Sequence, residues 1–288
     1  MSNIILVPVD GSQNDTPSLN TALALAKKLN GHIRALFARP NPEAVVRSFH
    51  EGFYPGAYKP LLDAIRQQWD DSSRKSQDRF DEWRKQNKIH ALYEPDVKTA
   101  VSAERCELTG NAEDILQDMG QLADVIVLPR PHDRSDAASY ERFEAALLLT
   151  GRPVVLAPPR TRSHPALDKV LIAWNRKPQA ARAVSTALPL LQQATEVAIF
   201  TKSEGRLTQD SASVLVDYLR WHGVRASVFA GQKNNNSTPH AVLAAANKFH
   251  ANLLVMGAYT HSRLRETIFG GVTLHVAAEA TIPVWLTH

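Results

Sequence analysis

The hydrophobic pattern at the start of the chain alternates between two periods. Residues 4–9 form a short apolar run that ends in a turn-forming Asp-Gly-Ser sequence, as expected of a buried strand. Over residues 16–29 the apolar positions recur at helical spacing, and Asn30-Gly31 follows, so we expect Gly31 to cap that helix. Residues 33–37 form the next apolar run. This order of strand, helix and strand predicts a parallel α/β unit.

The same alternation continues through the rest of the first half. Residues 41–58 are rich in proline, glycine and aromatic residues and are interpreted as a loop or lid. A long polar helix is expected over residues 61–86, and a second helix over residues 111–122 with Asn111 as its N-cap. The other predicted elements are strands at 100–108, 124–128 and 153–156 and a helix at 142–149.

After a polar, proline-rich linker at residues 158–166 the order of elements restarts. Strands are predicted at 170–175, 197–201, 224–229, 252–256 and 282–286, with helices at 179–191, 211–222, 238–249 and 270–280. This internal duplication predicts two domains, domain 1 over residues 1–158 and domain 2 over residues 167–288. The extra length of domain 1 is a helical and loop insertion near residues 41–90.

Strand and helix alternation in both halves predicts an α/β fold of two tandem Rossmann-like domains. Each domain is expected to hold a five-stranded parallel sheet with helices on both faces. Ligands of such sheets bind at the carboxyl ends of the strands, where the strand order reverses. Candidate chemistry is therefore sought after the strands that end near Asp10, Leu128, Asn175 and Met256.

Composition places the chain among ordinary folded proteins, with 44% hydrophobic and 22% charged residues. The net charge of +4 suits a protein that handles anions, and without a basic stripe it argues against nucleic acid as a partner. The single cysteine, Cys106, points to a reducing compartment. No apolar run nears the ~18 residues of a membrane span, and residues 1–9 lack the basic start of a signal peptide. We therefore expect a cytoplasmic protein.

Residues 257–273 carry the most distinctive chemistry of the chain. A glycine turn is followed by a loop with His261 and Arg263, and Gly270 and Gly271 then open a helix. Free backbone N–H groups and the positive end of the helix dipole attract anions there, and glycines let them approach. The pattern predicts a phosphate cradle; the alternative is a helix start whose two glycines serve close packing.

This segment resembles the signature of the universal stress protein family, whose ATP-binding members carry G-x2-G-x9-G-S/T. Gly257 and Gly270 stand at the family's spacing, and the duplication makes the chain similar to a tandem member over nearly its whole length. The resemblance implies an adenine nucleotide α-hydrolase-like fold and a site in domain 2 for ATP or AMP, with or without Mg²⁺. It also implies that the fifth strands, at 153–156 and 283–286, pair within the chain as an intramolecular pseudo-dimer, with a homodimer as a further possibility.

Two residues depart from the family signature. Thr260 replaces the second glycine, where a β-branched residue is strained if φ is positive, and Gly271 replaces a phosphate-binding Ser or Thr. Thr273 is a candidate replacement for that hydroxyl. Asn175 stands where the family has an acidic residue, beside Trp174, which either stacks on a base or packs in the core. The site residues that the resemblance implies are Ala173, Trp174, Asn175, Met256, Gly257, Thr260, His261, Arg263, Gly270, Gly271, Val272 and Thr273.

Domain 1 is expected to have lost the nucleotide site. It keeps the acidic Asp10, but Pro129 replaces the first signature glycine, and proline has no N–H to offer. Glu144 stands roughly where the later glycine pair should be, and a glutamate at a helix start repels phosphate. Arg130 is interpreted as a solvated charge.

Three functions are compatible with these patterns. The first is a stress-response protein that binds an adenine nucleotide with little or no hydrolysis, because no residue is an obvious general base for water. The alternative is a scaffold that binds no nucleotide and acts through proteins or another small ligand. An enzyme of the wider adenine nucleotide α-hydrolase-like group is the third, and no zinc or serine-hydrolase motif supports it. No catalytic or metal-binding residue is assigned.

Overall fold

The computed structural model describes most of the chain in eight stretches. These are residues 3–43, 58–92, 101–131, 137–159, 165–202, 206–229, 237–258 and 271–288, and the side chains of residues 206–210 are not described. Most of the predicted loop at 41–58 and part of the linker at 158–166 lie outside the described residues.

Eleven strands form one continuous sheet in the described part of the chain, in the order β3-β4-β2-β1-β5-β6-β11-β10-β7-β8-β9. The strands are β1 (Asn3–Pro8), β2 (Gly31–Arg39), β3 (His90–Ala91), β4 (Ser102–Thr109), β5 (Val125–Pro129), β6 (Val154–Ala157), β7 (Lys169–Ala173), β8 (Glu196–Phe200), β9 (Ala226–Phe229), β10 (Leu253–Gly257) and β11 (Val284–Thr287). The helices that cover the sheet are α1 (Asp15–Leu29), α2 (Tyr58–Gln86), α3 (Ala112–Gln121), α4 (Ala137–Leu149), α5 (Pro178–Leu191), α6 (Arg206–Trp221), α7 (Thr238–Phe249) and α8 (Gly271–Glu279).

The hydrophobic core is split into two layers, one on each face of the sheet. The first layer packs α1, α2, α5 and α6 against strand residues such as Ile5 and Val7. The second packs α3, α4, α7 and α8 against the alternate residues, such as Leu6. Because successive side chains of a strand point to opposite faces, an apolar run such as that of β1 is required for burial on both. The predicted α/β architecture is therefore confirmed.

The predicted and observed elements differ at a few places. Domain 1 gains a sixth strand, the two-residue β3, which pairs with the outer side of β4. Helix α4 begins at Ala137, one turn and a half before the predicted start. Asn30, with a φ of 50°, is the left-handed residue that caps α1, so the assignment of that role to Gly31 was wrong. Gly31 instead begins β2, where an added Cβ would lie 3.0 Å from the carbonyl oxygen of Asn3.

Strands β6 and β11 join the two half-sheets. They pair antiparallel, whereas the other described strand pairs are parallel. Val155 is paired with Trp285, Val154 with Leu286, and Leu156 with Val284. The pairing is symmetric, because the central pair joins equivalent positions: Val155 is paired with Val127 of β5 as Trp285 is with Val255 of β10. The segments expected to pair within the chain do so.

Side chains beside this junction repeat the symmetry. Gln193 at the end of α5 donates from Nε2 to the carbonyl oxygen of Lys28 at 2.6 Å, and the Lys28 ammonium donates to the carbonyl oxygen of Gln193 at 3.4 Å. Such a reciprocal contact between equivalent positions is what a two-fold relation produces. Arg130 also crosses between the halves, donating from Nη1 to the carbonyl oxygen of Ala280 at 3.1 Å. Its interpretation as a solvated charge was therefore wrong.

Candidate functional site

The described part of the predicted nucleotide site lies at one edge of the sheet. β7 ends at Ala173 and β10 ends at Gly257, and the two strands are parallel neighbours with Ala173 opposite Met256. Trp174 and Asn175 follow directly. The structure therefore brings these five residues together where the strand order of domain 2 reverses, which is where ligands of such sheets bind.

Of the remaining predicted site residues, four are not described by the structure and three are. Thr260, His261, Arg263 and Gly270 lie outside the described residues. The other three begin α8, where Gly271 is exposed, Val272 is half-buried and Thr273 is 4% exposed. Burial of Thr273 removes its side chain from the exposed start of the helix. It is therefore a poor replacement for the hydroxyl that the family signature has at Gly271.

Asn175 uses one end of its side chain within its own loop. Its Oδ1 accepts a hydrogen bond from the backbone N–H of Lys177 at 3.1 Å, which leaves the Nδ2 group as the donor toward a ligand. In domain 1 the equivalent Asp10 does the same, because its Oδ1 accepts from the backbone N–H of Ser12 at 2.9 Å. This shared turn identifies the two positions as structural counterparts.

The two described glycines of the candidate site differ in what a side chain would meet. A Cβ on Gly257 would lie 2.5 Å from the backbone nitrogen of Ala180 and 2.6 Å from the carbonyl carbon of Gln179. Gly257 therefore lets α5 pack closely on β10, which is the packing alternative for this position. A Cβ on Gly271 would meet no atom of the described residues within 4 Å, so packing against that part of the chain does not require a glycine at the start of α8.

Trp174 packs against the core rather than projecting freely from the strand end. It is half-buried, and it lines a cleft between α5 and α6. Its indole Nε1 is buried and has no hydrogen-bond partner among the described residues. The core alternative is therefore closer to what the structure shows than stacking on a base.

Domain 1 has a cavity of about 530 Å³ at the corresponding edge of its own sheet. Asp10, Lys75, Glu113, Glu141 and Arg142 are the charged residues that line it. The Arg142 guanidinium lies 3.7 Å from the Asp10 carboxylate. Two of the five charges are therefore already paired with each other, and two of the remaining three are carboxylates.

The glutamate that replaces the later glycines in domain 1 is Glu141. The exposure pattern of α4 matches that of α8 when Glu141 is placed opposite Gly271, with buried Phe143 opposite buried Thr273. Glu144 lies further along α4, so its assignment to the helix start was wrong. Burial, and then the neighbouring Glu141, raises the pKa of the Glu144 carboxyl.

Asp15 is a buried carboxylate beside the cavity of domain 1. It is 4% exposed and accepts hydrogen bonds from the backbone N–H groups of Asp10 at 3.1 Å and Gly11 at 2.9 Å. Burial raises the pKa of Asp15 from 3.8 to about 7, against the effect of those two hydrogen bonds. The loop after β1 is therefore held by a group that titrates near neutral pH.

In the part of the chain that the structure describes, no group of three or more His, Cys, Asp or Glu side chains is arranged to hold a metal ion. No helix there has both the length and the apolar character needed to cross a membrane.

Comparison with known proteins connects this architecture to one family. Residues 232–288 match the model of the universal stress protein family, and this confirms the resemblance inferred from the signature. The fold is similar to a universal stress protein from Archaeoglobus fulgidus DSM 4304, with a TM-score of 0.70 and 19% identity over 100% of this chain and 96% of that one. A universal stress protein from Pseudomonas aeruginosa UCBPP-PA14, described as putative, matches with a TM-score of 0.54 and 13% identity, over 99% and 93% of the two chains. No curated protein sequence matches the chain.

The different surroundings of Gly257 and Gly271 predict different effects of alanine substitution on stability. Gly257→Ala should lower the free energy of unfolding by about 1–3 kcal/mol, because its Cβ is forced into the backbone of α5. Gly271→Ala, the matched control, should leave it unchanged or raise it, since alanine favours an exposed helix position. Urea unfolding of both variants measures the difference, and equal losses would contradict the packing role of Gly257.

The buried carboxylate makes the second prediction. From pH 5 to about pH 7 the folded protein holds a proton on Asp15 that the unfolded chain has lost, so this residue's contribution to stability falls as the pH rises through 7 and is lost by pH 8. Asp15→Asn removes the titratable group. The free energy of unfolding of this variant, minus that of the unmodified protein, should therefore be about 2 kcal/mol larger at pH 8 than at pH 5.

Urea unfolding at pH 5 and pH 8 provides the measurement. The exposed Asp118→Asn is the control, and its difference from the unmodified protein should be the same at both pH values. A difference for Asp15→Asn that does not change with pH would refute the assignment of this titration to Asp15.

Proposed function

We propose, from the match of residues 232–288 to the universal stress protein family and the fold of the whole chain, that this protein is a tandem universal stress protein. Domain 1, residues 1–158, and domain 2, residues 167–288, are the two repeats. Domain 2 binds an adenine nucleotide, ATP or AMP, and domain 1 does not bind one in the same way. Binding, with little or no hydrolysis, is the activity.

The observation that carries this proposal is the start of α8. Gly271 is exposed at the first position of that helix, and among the described residues no side chain fills the space beside it. The first turn of a helix has backbone N–H groups without partners in the helix and a positive dipole end, so it favours a phosphate. Asn175 supplies an amide donor at the neighbouring strand end, where the nucleoside is expected.

Domain 1 supports the proposal by contrast. At the position of Gly271 it has Glu141, which lies in the second turn of α4 because that helix begins at Ala137, and its carboxylate repels a phosphate. Its Asp10 is paired with Arg142, and Pro129 ends β5 without an N–H. The same framework thus carries an anion-accepting edge in one domain and an anion-repelling edge in the other.

We also propose that the two domains form an intramolecular pseudo-dimer. The symmetric register about Val155 and Trp285 and the reciprocal contacts of Lys28 and Gln193 support it. Further dimerisation of the chain and a cytoplasmic location stay predictions from the sequence.

Substitutions at Gly271 test the nucleotide site without disturbing the packing of α5. Gly271→Ser restores the hydroxyl of the family signature and should tighten ATP binding by about three- to tenfold, as one hydrogen bond to a charged group would. Gly271→Asp should weaken ATP binding at least about tenfold by repulsion, while its carboxylate favours the helix start and keeps the protein folded. Calorimetric titration of ATP-Mg²⁺ measures both.

Adenosine is the control ligand, since it lacks the phosphates and its affinity should change in neither variant. Equal ATP affinities in Gly271→Ser, Gly271→Asp and the unmodified protein would contradict a phosphate site at α8. Absence of ATP binding in all three would favour the scaffold alternative.

A further inference from the structure

Domain 2 contains a cleft beside the predicted nucleotide site, and Trp174 is the one described residue that belongs to both. It occupies about 740 Å³ between the first turns of α5 and the middle of α6. Val184 and Leu215 form its floor, and Val214 and Tyr218 stand at its mouth, 69% and 39% exposed. No residue from the end of β10 or from α8 lines it. Exposed apolar surface of this kind around a cavity is typical of a binding site.

In domain 1 the space between the equivalent helices, α1 and α2, is filled by the protein's own side chains. There α2 packs directly on α1, and the indole Nε1 of Trp83 donates to Oδ1 of Asn20 at 2.9 Å in the buried core. The loop after β1 is covered as well, because a Cβ on Gly11 would lie 2.6 Å from the carbonyl oxygen of Ser72 in α2. An indole of the protein's own chain thus fills the space between the helices in domain 1.

At two positions along the cleft, domain 2 has a different residue from domain 1. Ser185 stands at the position of Asn20 and lines the cleft. Arg176 stands at the position of Gly11, and both residues have a positive φ, 61° for Arg176 and 82° for Gly11. Glycine adopts this conformation freely and arginine rarely does. A strained arginine that lines a cavity is expected to be there for its side chain.

The charged residues of the described lining of the cleft are both cationic. Arg176 and Arg182 line it, and neither guanidinium has an ion pair with a residue that the structure describes. The described lining includes no carboxylate. The indole N–H of Trp174, also in the lining, is buried and has no hydrogen-bond partner among the described residues, and such a buried donor is costly unless something accepts from it.

We propose that the cleft between α5 and α6 binds a small apolar anion, with an alkyl or aromatic body between the helices and a carboxylate, sulfonate or phosphate head at Arg176 and Arg182. The apolar body of the ligand packs between α5 and α6, as the Trp83 side chain packs between α1 and α2 in domain 1. A second copy of the chain is a poor occupant, because two such clefts would bring four unpaired arginines together.

Calorimetric titration with decanoate and with 1-naphthoate tests the proposal and separates an alkyl from an aromatic body. Decylammonium, below its micellar concentration, is the cationic counterpart of decanoate. We expect at least one of the two carboxylates to bind with a stoichiometry of one, and decylammonium to bind at least about tenfold more weakly. ATP should not displace the carboxylate, since Trp174 is the only described residue that the two sites share and both arginines of the cleft lie outside the nucleotide site.

Arg176→Gly is the decisive variant, because it gives domain 2 the residue of domain 1 at a backbone conformation that glycine favours. It should weaken carboxylate binding about tenfold, as loss of a charge-assisted contact would. Arg225→Ala removes an equal charge from an exposed position outside the cleft and should leave the affinity unchanged.

Four results would overturn the proposal. They are no binding of either carboxylate, equal binding of decylammonium, equal losses in Arg176→Gly and Arg225→Ala, and displacement of the carboxylate by ATP. Ultracentrifugation provides a further check, because a dimer that Val214→Glu dissociates would assign the cleft to a second copy instead.

Discussion

The antiparallel pairing of β6 with β11 is the constraint on which the rest of the structure depends. Each half-sheet ends in an apolar strand, and an unpaired apolar edge invites aggregation. Pairing the two edges covers both and buries Trp285 to 1% exposure. Because the strands of each half run parallel to their own fifth strand, this single antiparallel step places the carboxyl ends of the two halves at opposite edges of the sheet. The ligand-binding edges are thereby separated and free to diverge.

The divergence is concentrated at positions that are equivalent between the domains. In the last helix of each domain, Glu141 in the second turn of α4 takes the place of Gly271, the first residue of α8. In the loop after the first strand of domain 1, Gly11 lets α2 pack closely on the loop. In domain 2 the equivalent Arg176 lines the cleft between α5 and α6. The strands and buried helix faces around them keep the same pattern of burial. Duplication thus conserved the framework and changed the chemistry at its edges.

Most of the fold was predictable because burial imposes its own period on the sequence. Strands buried on both faces are continuous apolar runs, and helices packed on one side repeat every three to four residues. The start of α4 was missed, because its first turn, from Ala137, has no strong apolar periodicity. That late start led to Glu144 being aligned with the later signature glycines in place of Glu141.

The candidate sites were predictable only in part. The family signature located the edge formed by β7 and β10, but spacing alone did not show that Gly257 is required by the packing of α5. The cleft between α5 and α6 depends on the separation of two helices, which a sequence does not record. Its one visible sign was Arg176, an arginine opposite Gly11 in a loop whose turn both domains share.

The stoichiometry of nucleotide binding distinguishes the proposed roles of the two domains, because only domain 2 is expected to bind ATP. Native mass spectrometry of the intact chain with ATP, at concentrations above the dissociation constant, counts the bound molecules. One nucleotide per chain, lost in Gly271→Asp, is the predicted result. Two per chain, or one that survives in Gly271→Asp, would contradict the division of function between the domains.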